Sequence, residues 1–493
     1  YICKVNDNNS SLKKKFVTNL AILLLLNFLI KPFWVLGIDR TIQNVVGAED
    51  YGFYFSLFNF SLLLNIVLDI GITNCNNRNI AQHQHLLSKY FSNIVILKFI
   101  LAFVYFFVSL AVALIIGYTW KQFLLLLVLV LNQFIASFIL YLRSNISGLH
   151  LFKTDSLISV LDRALMILIC GVLLWGNVTQ RTFRIEWFVY AQTAAYSLTF
   201  VVTFFIVLYR AEFFKPRFDR KFLIIIIRQS YPFALLSLLM ILYNRIDSVM
   251  LERLLPDGKE QAGIYAQGFR ILDAAAMVGF LFAGLLLPMF SRMIKLKDSV
   301  EQLARFSFLL IIIPSIIVSF VSVFYKSEIM DLLYLTHVSI SADIFGVLML
   351  GFIPISTSYI FGTLLTANGN LKEFNLLAAS GVLLNIVLNG FLIPKYFAYG
   401  SAVASLITQV FTAILLAFLV YNIFKFSFNW KLILKLLGFT LCVFLLGIFL
   451  KRIDMEWTYG IITFLGVGTI LAFSFRLLSL KFFYQIIRYG DSG

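Results

Sequence analysis

Residues 38–54 read Ile-Asp-Arg-Thr-Ile-Gln-Asn-Val-Val-Gly-Ala-Glu-Asp-Tyr-Gly-Phe-Tyr, and residues 245–265 read Arg-Ile-Asp-Ser-Val-Met-Leu-Glu-Arg-Leu-Leu-Pro-Asp-Gly-Lys-Glu-Gln-Ala-Gly-Ile-Tyr. Both hold an Ile-Asp pair, a polar connection, and then glycine, an apolar residue and tyrosine opening a long apolar run. Each long run exits near an arginine, Arg78 or Arg292. The two stretches lie roughly six apolar runs apart, an even number, so both copies have the same orientation. A parallel repeat of this kind predicts two six-helix bundles facing a central cavity. The first and second helices of each bundle would line it.

The rest of the chain supplies the helices. Of 493 residues, 61% are apolar and only 13% are charged. A soluble domain sits near 45–50% apolar and about 25% charged, so a soluble enzyme is excluded. A transmembrane helix needs about 20 largely apolar residues, and about fourteen such spans tile the chain. They cover 16–36, 51–71, 91–117, 121–142, 156–176, 186–209, 222–243, 262–291, 303–325, 340–366, 374–394, 398–424, 431–450 and 457–480. The expected fold is therefore an all-α polytopic membrane protein with two parallel-repeat bundles and two extra C-terminal helices. Its segments are a cytoplasmic piece 1–15, a first bundle 16–209, a basic cytoplasmic linker 210–221, a second bundle 222–424, and two added helices with a cytoplasmic tail 425–493.

Charge first sets topology. The formal net charge is +16, and in a membrane protein such an excess reads as orientation rather than nucleic-acid binding. With the N-terminus inside, cytoplasmic segments collect about 24 basic residues and outer loops about 11. The densest loop holds Arg210, Lys215, Arg217, Arg220 and Lys221. Both termini are thus expected in the cytoplasm. Trp34, Trp120, Trp175, Trp187 and Trp457 fall at predicted outer ends, as an interfacial belt would.

Lys31, Lys98, Arg163, Arg228 and Arg270 remain inside spans, with Asp69, Asp162 and Asp273. A charge at the centre of a span costs on the order of 2.5–3.5 kcal/mol even on the mild insertion scale. Such residues face protein or a wet cavity. Span 1 offers Asn27 and Lys31 on one face, followed by Pro32. Span 2 offers Ser61, Asn65, Asp69 and Thr73 at i+4 spacing, a slowly drifting polar stripe. Span 7 offers Arg228 and Pro232, and span 8 offers Arg270 and Asp273 one turn apart. Asp162 and Arg163 are adjacent, about 100° apart on a helix, and are expected to point different ways. Structural pairing with Lys98 or another span is as good a reading of them as substrate contact. Each of these residues also has a plain reading: a snorkelling cation, an interhelical hydrogen bond, or a self-satisfied ion pair. More embedded cations than carboxylates favours an anionic ligand, and phosphate suits arginine bidentately.

Several chemistries find no support. Cys3, Cys75, Cys170 and Cys442 show no CxxC pairing, His83 and His85 have no acidic or thiol neighbour, and no GxxxxGK[ST] occurs. No metal site, cofactor or ATPase is expected. No loop exceeds roughly twenty residues, and a catalytic segment needs irregular backbone outside lipid. Transport is expected over catalysis. No cleavable leader is expected from the first apolar run, which is too long for one.

The stretch Gly47–Tyr54 through Leu68-Asp69-Ile70-Gly71-Ile72-Thr73, and the run Ala262–Asp273 with Leu286–Arg292, resemble the polysaccharide-transporter flippases of the multidrug/oligosaccharidyl-lipid/polysaccharide (MOP) exporter superfamily. With the span count and repeat, the resemblance covers essentially the full chain. It implies alternating access, residence in the bacterial cytoplasmic (inner) membrane, and an undecaprenyl-pyrophosphate-linked oligosaccharide as cargo. It implies polysaccharide-assembly proteins as partners and H⁺ or Na⁺ as coupling ion, with no nucleic acid. Carried onto this chain, the cationic cavity would hold Lys31, Arg228 and Arg270. Asn27, Asn65, Asp69 and Asp273 would line it or couple the ion, with Lys98, Asp162 and Arg163 as further candidates. The lipid II flippase branch is the runner-up, although its early arginine cluster is not evident. A drug/cation antiporter would want a carboxylate in its binding lobe, whereas Asp39 is placed at an outer loop edge. An O-antigen polymerase or ligase would want a large outer loop.

Overall fold

The computed structural model describes residues 26–27, 29–30, 32–73, 76–77, 80, 87–149, 151–176, 183–211, 219–427, 429–453 and 455–478. Among these, every regular element is helical. After a π-helical turn Trp34–Asp39 come α1 (Arg40–Leu63), the short α2 (Ile66–Asp69), α3 (Leu87–Ile116), α4 (Trp120–Gly148), α5 (Phe152–Trp175), α6 (Ile185–Ala211) and α7 (Arg220–Leu254). They are followed by α8 (Gly258–Lys295), α9 (Glu301–Phe324), α10 (Lys326–Leu333), α11 (Val338–Leu350), α12 (Phe352–Asn368), α13 (Leu371–Phe424), α14 (Trp430–Arg452) and α15 (Trp457–Ser474). Hydrocarbon offers no partner to a backbone amide, so the chain satisfies its amides within each helix. Among the described residues, twelve helices are long and apolar enough to cross a membrane. One of them, the 54-residue α13, is long enough for two spans: its backbone breaks at Phe397 (φ 54°), three residues after Pro394, where the sequence places the junction of two spans. The first predicted span, 16–36, lies mostly outside the described residues. The chain is a multi-pass membrane protein.

Two compact units divide at Gly263 and Ile264, within α8. In the first unit α4 packs along α6, α1 along α7, and α2 against α3. Its core gathers Phe91, Phe138, Tyr141 and Leu142 with their aliphatic neighbours. In the second unit α12 packs on α13 and α9, and α14 pairs with α15. The added pair is tied in through Ile313, Ile317 and Val321 of α9, against Phe439, Val443 and Phe464.

Three sequence readings need correction. The polar connections at 37–50 and 244–261 are helical for most of their length. The first is interrupted only at Gly47 (φ 82°), and the second shrinks to a turn between Leu254 and Gly258. Their polar side chains are satisfied inside the protein, which removes the need for a loop. Trp34 is not interfacial: it is buried and stacks on Phe188, with ring centroids 5.8 Å apart. The polar stripe on span 2 is not continuous, because the helix breaks between α1 and α2 and again at Ile70 and Gly71, both left-handed.

A buried lysine closes over these breaks. Lys98 of α3, 1% exposed, donates to the carbonyl of Leu68 (3.0 Å), Asp69 Oδ1 (2.7 Å) and Ser137 Oγ (3.1 Å). Asp69 in turn accepts from the Thr73 amide (3.3 Å) and hydroxyl. A second constraint lies where α1 meets the first turn of α8. An added Cβ on Gly52 would stand 1.8 Å from the Lys259 carbonyl oxygen, and one on Gly263 would stand 1.9 Å from that of Ala48. Two backbones touch there, which only glycine permits.

These contacts predict two stability results. Lys98→Met should cost about 3 kcal/mol in denaturant unfolding, because it strands Asp69, and Lys98→Met/Asp69→Leu should recover most of the loss. Gly52→Ala should lower stability by about 1–3 kcal/mol through overpacking. Gly284→Ala, with nothing within 4 Å of its added carbon, should leave the melting temperature in detergent unchanged.

Candidate functional site

The polar interior of the first unit is assembled on α5, α6 and the π-helical turn. Asn27, buried, donates to Ser159 Oγ of α5 at 3.3 Å. One turn along α5 stands Arg163, whose guanidinium carbon is 5.5 Å from the Trp34 ring centroid and 5.9 Å from that of Tyr196 on α6. Its side chain is 28% exposed. Both distances are within cation–π range. Phe188 extends the aromatic wall, stacked on Trp34 and edge-on to Tyr54 at 5.1 Å.

Trp34 owes its place to the π turn. Such turns are rare, and they re-aim side chains that a regular helix would send elsewhere. The turn follows Pro32, whose ring crowds the preceding turn and which has no amide to donate. At its end, Asp39 is buried and accepts Tyr51 Oη at 2.9 Å on each oxygen, with Gln43 Nε2 at 3.5 Å. The sequence reading placed Asp39 at a loop edge. Its fully buried environment is a correction, and the tyrosine hydroxyl supplies the hydrogen bonding that water would otherwise give.

The expected site residues fall into different surroundings. Asp162 and Arg163, expected to point different ways, lie 3.7 Å apart, Oδ2 to Nε, since a long arginine side chain can reach a neighbour about 100° away on the helix. Lys98 and Asp69 pair with each other at the helix break, not with Asp162 or Arg163. Asn65 donates to Gln133 Oε1 at 3.3 Å. Arg228 on α7 is exposed, and Arg270 and Asp273 on α8 are half-buried in the second unit. Lys31, His83 and His85 lie outside the described residues. Among those described, no cluster of His, Cys, Asp or Glu could hold a metal.

A second polar cluster was missed from sequence. Gln122 caps α4 in a capping box with Thr119 and donates to Glu252 Oε1 of α7 at 2.6 Å. Arg253 Nε is 2.9 Å from Glu252 Oε2, and its guanidinium lies 4.0 Å over the Tyr118 ring. Burial, reinforced by the nearby Glu252, pushes the Tyr118 phenol above its ordinary pKa. The signal for this clasp is a Thr-x-x-Gln capping box at Thr119 and Gln122, which straddles the predicted start of the span at 121.

A family model described as "Polysaccharide biosynthesis protein" matches residues 16–294, more than half of the chain. No curated protein gives a significant match. Among solved structures, the lipid II flippase MurJ in an inward closed conformation is similar at a TM-score of 0.65 and 15% identity, covering 94% of this chain and 99% of that one. The Vibrio cholerae MATE transporter VcmN is similar at 0.60 and 14%, covering 84% and 97%. A MOP superfamily transporter from Pyrococcus furiosus is similar at 0.58 and 15%, covering 84% and 96%. At these identities the likeness establishes the fold, which is that of MOP superfamily transporters. On the family match, carried by an all-helical membrane fold of this architecture, the chain belongs to the polysaccharide biosynthesis protein family.

Proposed function

We propose that this protein is a flippase, not an enzyme. It moves an undecaprenyl-pyrophosphate-linked oligosaccharide from the cytoplasmic to the outer leaflet of the bacterial inner membrane by alternating access, with both termini in the cytoplasm. The observation that carries the reading is Arg163, a guanidinium within cation–π distance of two aromatic rings in a membrane protein of the polysaccharide biosynthesis family. Stacking engages the faces of the guanidinium, whereas a phosphate is bound by its edge in bidentate fashion. Trp34 and Tyr196 therefore orient the cation without using its hydrogen-bonding geometry, and their rings also suit an apolar sugar face. Lys31, Arg228 and Arg270 stay in the proposal as further anion contacts, with Asp273 as a coupling candidate for H⁺ or Na⁺. The polyprenyl tail stays in lipid throughout.

Lipid II is the second reading. A 94% coverage by the MurJ structure cannot be reached without part of residues 425–493, so the similarity extends into the two added helices. The MATE structures, at 84%, do not require that. The added helices favour a lipid-linked cargo over a soluble cation.

The test is leaflet-to-leaflet transport in proteoliposomes, with a fluorescent undecaprenyl-pyrophosphate oligosaccharide and labelled lipid II offered separately. Arg163→Ala should cut the oligosaccharide rate at least about tenfold, the order of one lost charge-assisted contact of about 1.5 kcal/mol, and Arg163→Lys should restore only part. Full transport by both Arg163→Ala and Arg270→Ala would sink the cationic-site mechanism. Faster movement of lipid II than of the oligosaccharide would give the function to the second reading.

A further inference from the structure

The basic end of the second unit carries a cavity separate from the polar interior described above. It has a volume of about 580 Å³ and lies at the start of α9. Its walls differ in chemistry. Ser299, Glu301, Gln302 and Arg305 form a polar side, with the Glu301 carboxylate held by Arg305 and Ser427, while Phe306, Leu309 and Leu477 form an apolar side. The apolar side is continuous with the core that binds α14 and α15 to α9.

The polar side has unspent donors. Arg305 reaches Glu301 Oε1 at 2.8 Å, and the carbonyl and hydroxyl of Ser427 at 3.4 Å each, all through Nη2. Among the described residues its Nε and Nη1 make no hydrogen bond, and neither do the side chains of Ser299 and Gln302. Arg305 is a third exposed and lines the cavity. A guanidinium with an idle edge beside an apolar wall is an amphiphilic arrangement. Water satisfies the first part of it but not the second.

The surroundings add positive charge. Lys295 and Lys297 precede Ser299, Lys425 precedes the Ser427 that bonds Arg305, Lys431 opens α14, and Arg476 precedes Leu477. Asp298 and Glu301 are the nearby acids in sequence, and Glu301 is engaged by Arg305 and Ser427. Leu296, between two lysines, is 60% exposed, and Trp430, beside Lys431, is 67% exposed. Exposed leucine and tryptophan interleaved with lysine are the composition of a membrane–water boundary. That composition suits headgroup depth, with these cations close in sequence to the lining residues and Phe306, Leu309 and Leu477 as the apolar wall.

We propose that this cavity binds an anionic diacyl phospholipid of the surrounding leaflet. Its phosphate sits against Arg305 and the neighbouring lysines, and an acyl chain lies along Phe306, Leu309 and Leu477. The lipid fastens the two added helices to α9. The inference stands independently of the cargo assigned above.

Purified full-length protein in neutral detergent tests this, with phosphatidylglycerol, phosphatidylcholine, undecaprenyl phosphate and inorganic phosphate as probes. Retention in native mass spectrometry and the shift in melting temperature are the readouts. Phosphatidylglycerol should be retained and should raise the melting temperature, and phosphatidylcholine should do neither. Arg305→Gln should weaken retention at least about fivefold, the range of one charge-assisted hydrogen bond. Leu309→Trp, which fills the apolar wall, should abolish retention while the lipid-free melting temperature stays within a few degrees. If Arg305→Gln unfolds the protein, Lys297→Gln/Lys425→Gln at exposed turns carries the charge test and should also weaken retention. Equal binding of the two phospholipids, or retention unchanged in Leu309→Trp, would overturn the proposal. So would displacement of phosphatidylglycerol by equimolar inorganic phosphate or undecaprenyl phosphate.

Discussion

Hydrocarbon solvates neither an amide nor a charge, and the polar groups of this chain are arranged around that constraint. The backbone answers it by making every regular element among the described residues a helix. Hydroxyls answer it locally: Thr199, Thr203, Ser315 and Thr412 each bond the carbonyl four residues back. Charges answer it by pairing. The break at Ile70 and Gly71 that ends α2 leaves the Leu68 carbonyl without its helical partner, and Lys98 supplies the donor from another helix. The ammonium then needs a counter-charge, which Asp69 provides. A discontinuous second helix is thereby affordable only with a buried lysine beside it.

The same constraint made the fold legible. Length and hydropathy of each apolar run sufficed to place the helices, because a span must be both long and apolar. The junction inside residues 371–424 was visible from Pro394 and the following polar and glycine residues, although the chain runs helical on both sides of Phe397. The connections were less legible. Residues 37–50 are polar enough to suggest a loop, yet Asp39 and Gln43 belong to a buried hydrogen-bonded group with Tyr51. Hydropathy averages over a window and does not distinguish a polar residue facing water from one facing a tyrosine hydroxyl.

The candidate site was legible in composition but not in partnership. Embedded charges were identifiable because each is costly, so Arg163, Lys98 and Asp69 stood out in sequence. Which of them pair depends on helix packing, and no spacing rule connects residue 98 to residue 69 across two helices. Trp34 and Tyr196 carried no signal at all. An aromatic at a predicted span end is read as interfacial, and only the π turn reveals that Trp34 faces inward.

Donor arithmetic and exposure distinguish Lys98 from Arg163 in the first unit. An ammonium has three protons, and those of Lys98 are matched by Leu68, Asp69 and Ser137 at 2.7–3.1 Å. A ligand could reach it only by breaking the contacts that close the helix break. Arg163 carries five donors; Asp162 lies 3.7 Å from its Nε, and its guanidinium also stands within cation–π distance of Trp34 and Tyr196. It also keeps more than a quarter of its side-chain surface accessible, against 1% for Lys98. Of two cations conspicuous in the sequence, the lysine is bound up in the helix break, and the more accessible arginine is the one the proposed anion site is built on.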